Sequence, residues 1–306
     1  MSIDTKLIGH NLNFKNLINL YKNNLLPNKI LLSGNKGIGK SIFASHIVNY
    51  ITSENEKYNY DLNNYKININ NKSYILFNKN SHPNIFKISK KIDKQNIDIS
   101  QIRKMIQFQN NSSFNNKSRF IILDEISDLN IHATNALLKS LEEPNHNVFY
   151  ILIHNSKIKI QETLRSRCIE FKLFLNLSSI KSIVNEYFNE NIYDSISNDF
   201  VNIYSNPSFI IYLINYFKEN SLDFSKLKIE ELIYFIINNQ HYKKNIFISN
   251  NLGTFVELFF YKNINHTSIA KYKIQKYFYS KLKKIQIYNL DLESFFLEFQ
   301  HKLLSE

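Results

Sequence analysis

Gly34, Gly39, Lys40 and Ser41 stand in the spacing G-x-x-x-x-G-K-S, with Gly37 inside the loop. Glycines there let backbone N–H groups turn inward onto anionic oxygens. A lysine directly after them reaches the β- and γ-phosphates of a nucleotide, and the next hydroxyl is a ligand for Mg²⁺. A second pair, Asp124 and Glu125, closes the apolar run Phe120, Ile121, Ile122 and Leu123. Asp124 is suited to hold the water shell of the magnesium ion, and Glu125 to orient or polarise an attacking water. Alone, two acids after a strand equally cap the following helix. Their place downstream of a phosphate loop favours the metal site.

These groups need elements to hold them. Ile30, Leu31 and Leu32 read as a short buried strand entering the loop, and Ile42, Phe43, Ala44, Ile47 and Val48 recur at helical spacing after it. Strand–loop–helix is the context that makes a glycine pattern a phosphate site. Residues 85–88, 119–123, 148–153 and 169–173 read as further strands, with His154, Asn155 and Ser156 ending the third of these. Helices are expected from Leu12 to Tyr21, ended by Pro27, and from the caps Asp98 and Ser100 through Phe108. Two more are expected from Asn130 to Glu143, stopped by Pro144, and from Ile160 to Arg167. Strands alternating with helices specify an α/β fold with a parallel sheet. Residues 53–80 are rich in Asn and Tyr; that composition suggests disorder, while the alternation from Tyr65 to Phe77 equally suits a hairpin. Beyond Ser178 the periodicity is helical, over 180–187, 195–204, 207–217, 230–238, 252–261, 269–284 and 292–304. A domain boundary is expected near 173 and another near 218.

The 306 residues carry a formal net charge of +12. A basic balance attracts phosphate backbones. However, Arg103, Arg119, Arg165 and Arg167 are the only arginines, and the abundance of Ile, Lys, Asn, Tyr and Phe follows A/T-rich codons. Charge alone therefore leaves nucleic-acid contact open. Scarce residues carry more information: three of the five glycines lie at 34–39, and two of the four arginines at 165 and 167. The single Cys168 excludes an intrachain disulfide and leaves no cysteine cluster for zinc. Met1 to Leu7 lacks the features of a signal peptide, and no apolar run reaches the ~18 residues of a membrane helix. A cytoplasmic protein is expected.

Four segments occur in order: Ser33 to Ser41, Leu123 to Glu125, Asn135 to Pro144 (Asn-Ala-Leu-Leu-Lys-Ser-Leu-Glu-Glu-Pro) and Leu164 to Cys168 (Leu-Arg-Ser-Arg-Cys). Together they resemble the clamp-loader branch of the AAA+ proteins, the last two being specific to it. Ser81 to Pro83 and Ile99 to Arg103 are similar to delta-prime subunits of the bacterial DNA polymerase III clamp loader. The likeness covers residues 7–172, with only the helical layout matching beyond.

The resemblance implies three parts: an α/β AAA+ nucleotide-binding domain over 1–172, a small helical lid over 173–218 and an all-α collar for oligomerisation over 219–306. It implies ATP and Mg²⁺, held by Gly34, Gly37, Gly39, Lys40, Ser41 and Asp124, with Glu125 in the second motif and Asn155 at the first nucleotide sensor. Arg167 matches the family's arginine finger, which completes the ATP site of a neighbouring subunit. The alternative is that Arg165 and Arg167 offset the dipole at a helix end. Lysine would serve that purpose as well, whereas only a guanidinium offers a planar fork. ATP-hydrolysing relatives carry a sensor arginine in the third lid helix; Ser205 to Tyr212 has none, nor has any residue after Arg167. Nucleotide binding with feeble hydrolysis is the expectation. Implied partners are gamma/tau-like and delta-like subunits in a hetero-pentamer, the sliding clamp and primed DNA, with no membrane. The implied work is ATP-dependent loading of that clamp during DNA replication. Alternatives are a gamma/tau-type motor subunit, which usually carries a zinc module that this chain lacks, and a free-standing AAA+ ATPase of DNA repair.

Overall fold

Ile30 to Ser33 and Arg119 to Leu123 are buried at every position, which requires strands covered on both faces. The computed structural model describes residues 5–90, 94, 96–111, 117–142, 147–201, 206–263, 269–288 and 290–304. In order, the elements are α1 (Asn11–Lys22), β1 (Lys29–Gly34), α2 (Lys40–Thr52), α3 (Lys72–Asn78), β2 (Ile85–Ile88), α4 (Ile99–Asn110), β3 (Arg119–Leu123) and α5 (Ile131–Glu142). There follow β4 (Val148–Asn155), α6 (Glu162–Arg165), β5 (Ile169–Lys172), α7 (Leu177–Phe188), α8 (Pro207–Glu219), α9 (Ile229–Asn238), α10 (His241–Lys244), α11 (Ile246–Asn263), α12 (Ile269–Tyr288) and α13 (Glu293–Leu303). Two compact units divide the chain, Met1–Tyr187 and Phe188–Glu306.

The first unit holds a five-stranded parallel sheet of order β2-β3-β4-β1-β5. Alternate strand residues enter opposite layers. Ile30, Leu32, Ile122, Ile151 and Ile153 pack with Phe14 and Leu17 of α1 and Phe43 and Ile47 of α2. Leu31, Ile121, Leu123 and Leu152 pack with Ile102 and Met105 of α4 and Leu137 and Leu141 of α5. Register then sets the strand ends level: Gly34 stands opposite Asn155, and Leu123 opposite Leu152. The ends of β1, β3 and β4 thus bring the loop, Asp124-Glu125 and Asn155 to one edge, where open α/β sheets bind ligands.

Some expectations are corrected. Helix α1 stops at Lys22, where Asn24 takes φ 56°, well before Pro27. Asp61 and Lys66 do form an isolated antiparallel bridge, but 72–78 is helix, not hairpin. The Asn71 side chain accepts the N–H of Tyr74 and caps α3, and this local hydrogen bond overrides the alternation. The helix expected over 160–167 shortens to α6, and Pro144 lies outside the described residues.

The second unit is helical, with an aromatic core. Phe278 and Phe259 each lie 5.1 Å from Phe299, near edge-on, the arrangement that ring quadrupoles favour. The helix expected from Ser195 to Tyr204 is absent over 196–201, and 202–205 lie outside the described residues. Tyr193–Ser195 is a single 3₁₀ turn, and the N–H of Ser197 bonds to Phe224 O at 2.9 Å, which draws the backbone out of helix. The short α10 was not anticipated. Among the described residues, no helix is long and apolar enough to cross a membrane.

Candidate nucleotide-binding site

The loop has the backbone that its glycines require. A Cβ on Gly34 would lie 2.4 Å from Leu173 O and 2.7 Å from Ile38 Cδ1, so no side chain fits. Gly39 takes φ 85° as it starts α2, and Gly37 takes φ 81°, a region costly for residues with a Cβ. Buried Lys40 folds its ammonium over the loop, donating to Gly34 O at 2.9 Å and Asn35 O at 2.7 Å. Burial lowers its pKa from the ordinary value, opposed by Glu125 and Asp124. Beneath the loop lies a residue without an assigned role in the sequence, His10. Its Nε2 donates to Ile38 O at 2.8 Å, and burial lowers its pKa.

The Ser41 hydroxyl donates to Asp124 Oδ2 at 2.8 Å. Adjacent hydroxyl and carboxylate oxygens form a hard donor pair of the kind that Mg²⁺ selects, so these residues fit the ion. Lys87 of β2, which sequence reasoning passed over, adds a third group. Its Nζ lies 3.4 Å from Ser41 Oγ and 4.0 Å from Asp124 Oδ2. The available signal was a charge within the apolar strand Ile85 to Ile88, which ordinarily marks a solvated edge.

Glu125 holds φ 61° and ψ 75°, a left-handed conformation that costs a non-glycine residue about 1–3 kcal/mol. Its Oε1 accepts the Asn155 backbone N–H at 3.1 Å and the Ser127 hydroxyl at 3.0 Å. Two expected site residues therefore meet, but through the backbone of Asn155. The Asn155 side chain accepts the N–H of Lys157 at 3.2 Å.

The arginines divide by task. Arg167 donates to Thr163 O at 2.7 Å and to the Glu142 carboxylate at the end of α5. Arg165 pairs with Glu170 at 2.8 Å. Among the described residues, neither bonds to this chain's own loop. Arg119 is buried, and its fork donates to Phe108 O at 2.7 Å, to Gln109 O at 2.9 Å and to Asn111 O, capping the end of α4.

The sequence profile of the family described as "DNA polymerase III, delta subunit" matches residues 9–175, more than half of the chain and every site residue named above. The chain belongs to that family. This delta-family chain is 46 % identical over 71 residues to the DNA polymerase III subunit gamma of Buchnera aphidicola subsp. Schizaphis graminum, covering 22 % of itself and 19 % of that relative. It is 36 % identical over 124 residues to the subunit delta′ of the same organism, covering 40 % and 37 %. The chain thus spans well under half the length of these relatives. Its fold is similar to that of a DNA polymerase III gamma subunit-related protein from Thermotoga maritima, with TM-score 0.53 at 14 % identity over 92 % of this chain and 96 % of that one. The architecture is a parallel five-stranded sheet with flanking helices followed by a helical C-terminal part.

Proposed function

We propose that this chain is a clamp-loader subunit of the delta-prime kind, which binds ATP with Mg²⁺, hydrolyses it feebly and supplies Arg167 to a neighbouring subunit. The observation that carries the nucleotide part is the complete loop, with Lys40 over it and Ser41 bonded to Asp124. Gly34, Gly37 and Gly39 would cradle the phosphates, Lys40 would reach the β/γ end, and Ser41 and Asp124 would hold the ion, whose chemistry would be to offset charge on the phosphates. Glu125 and Asn155, bonded to each other, would stand at the γ-phosphate end. The names of the relatives, subunits gamma and delta′, support a place in a multi-subunit assembly. In this reading the partners are gamma/tau-like and delta-like subunits, the sliding clamp and primed DNA, in the cytoplasm. Residues 173–218 serve as lid and 219–306 as collar.

The stretch similar to a gamma subunit favours a second reading, a motor that hydrolyses ATP in its own site. Against it stands the lack of any arginine after Arg167, since hydrolysis needs charge on the γ-phosphate met as it develops. Affinity purification with identification of partners tests the proposal. One copy of this chain in a hetero-pentamer supports it, and a homo-hexamer overturns it. For the nucleotide, Lys40→Ala is expected to lower ATP affinity roughly a hundredfold in calorimetry, because a charge-assisted contact to phosphate is lost. No detectable binding by the unmodified protein would mean the loop is a relic.

A further inference from the structure

We propose that Lys87 is a built-in cation at the Ser41–Asp124 corner, so that this chain binds a nucleoside triphosphate without depending on a divalent ion. The inference rests on the nucleotide-binding reading and revises one part of it: that reading gives the corner to Mg²⁺, whereas here the Lys87 ammonium meets the same oxygens when the ion is absent. Strand alternation puts Lys87 on the same face as Ile85, and Ile85 packs in the layer of α2 with Phe43 and Ile47. The lysine therefore faces the helix that begins with Lys40 and Ser41. Its Nζ lies 5.8 Å from the centre of the Phe77 ring, a contact that favours an ammonium in that place. From there it reaches Ser41 Oγ at 3.4 Å, while Ser41 donates onward to Asp124 at 2.8 Å. The hydroxyl thus spends its proton on the carboxylate and offers its lone pairs to the ammonium. Those lone pairs are the ones a metal ion would take. Asp124, at 4.0 Å, supplies the negative charge that either cation needs. Two cations this close repel, so Lys87 weakens the hold of the corner on a divalent ion. It also leaves a second positive charge, beside Lys40, for the β/γ-phosphates.

The full-length chain is titrated with a fluorescent ATP analogue in EDTA and in Mg²⁺. Unmodified protein is expected to bind within about threefold in the two conditions, because the ammonium substitutes for the ion's charge. Lys87→Met keeps the aliphatic stem and removes the charge; it should lose roughly tenfold in EDTA and recover in Mg²⁺. Mn²⁺ alone, followed by its electron paramagnetic resonance signal, should bind Lys87→Met roughly tenfold more tightly than the unmodified chain. Lys87→Gln repeats both arms, with thermal melting to verify folding. A wild type that loses nucleotide in EDTA, or Mn²⁺ affinity unchanged by the substitutions, overturns this proposal alone. No nucleotide binding in either condition overturns it together with the reading of the loop.

Discussion

At the scale of the residue, Arg167 separates the proposed function from its rivals. Its guanidinium is held by Thr163 O and Glu142, contacts on the surface that contribute little to stability. Arg167→Ala is therefore expected to melt like the unmodified chain and to bind nucleotide equally well. Fingers in phosphoryl transfer contribute ~10³–10⁵ in rate at the site they complete. ATPase of the reconstituted loader, stimulated by clamp and DNA, should fall by less, since its other sites keep theirs. Arg167→Lys should fail almost as badly, because a point charge cannot replace a planar fork. Normal activity of Arg167→Ala in a verified assembly would return the residue to the role of a helix-end cation. The loop residues were legible because their spacing is itself the signal. Lys87 and His10 were not: their partners lie 46 and 28 positions away, and nothing local in the sequence announces such a pairing.

At the scale of the element, the central strands could be read from sequence because their buried stretches are apolar runs, Ile30 to Leu32 in β1, Phe120 to Leu123 in β3 and Tyr150 to Ile153 in β4. The segments that misled were those where one hydrogen bond outside the regular ladders redirects the backbone: that of the Asn71 side chain before α3, and that of the Ser197 backbone N–H after the 3₁₀ turn. Arg119 is the reverse case, a charge inside a strand that serves another element. Arg119→Met should lower stability by about 1.5–3 kcal/mol, the range for hydrogen bonds to a charged group, read as a reduced urea midpoint. An unchanged midpoint would mean that α4 is stopped by other means. The turn entering β2 carries a pH dependence. Burial pushes the His82 imidazole down to about 4, with Glu56 opposing and Lys117 assisting; its Nδ1 accepts the N–H of Asn84 at 3.1 Å. An unfolded histidine takes its proton near pH 6.5, so between about 6.5 and 4 the unfolded chain binds the extra proton. The His82 contribution is thus complete above about 6.5 and fades as the pH falls towards 4. The urea midpoint should drop over that window, and His82→Gln should flatten the drop. Equal slopes for the two proteins would exclude His82 as the cause.

At the scale of the whole molecule, the expected property is nucleotide held more readily than hydrolysed. A verified monomer should turn over ATP far more slowly than an assembled loader, since it lacks both a neighbour's finger and an arginine after Arg167. Brisk turnover by that monomer would move the assignment to a self-sufficient motor. Sheet order adds a consequence for how the chain comes to exist. β1 lies between β4 and β5, with Leu32 opposite both Ile153 and Phe171. On a ribosome β1 and the phosphate loop are made before β4 and β5, the strands that flank β1, which emerge long after. Pairings between distant segments form slowly and leave apolar surface open meanwhile. The earliest-synthesised piece of the nucleotide site is therefore among the last to be set in place, and the apolar strand leading into it must wait unpaired while the rest of the sheet is still being translated.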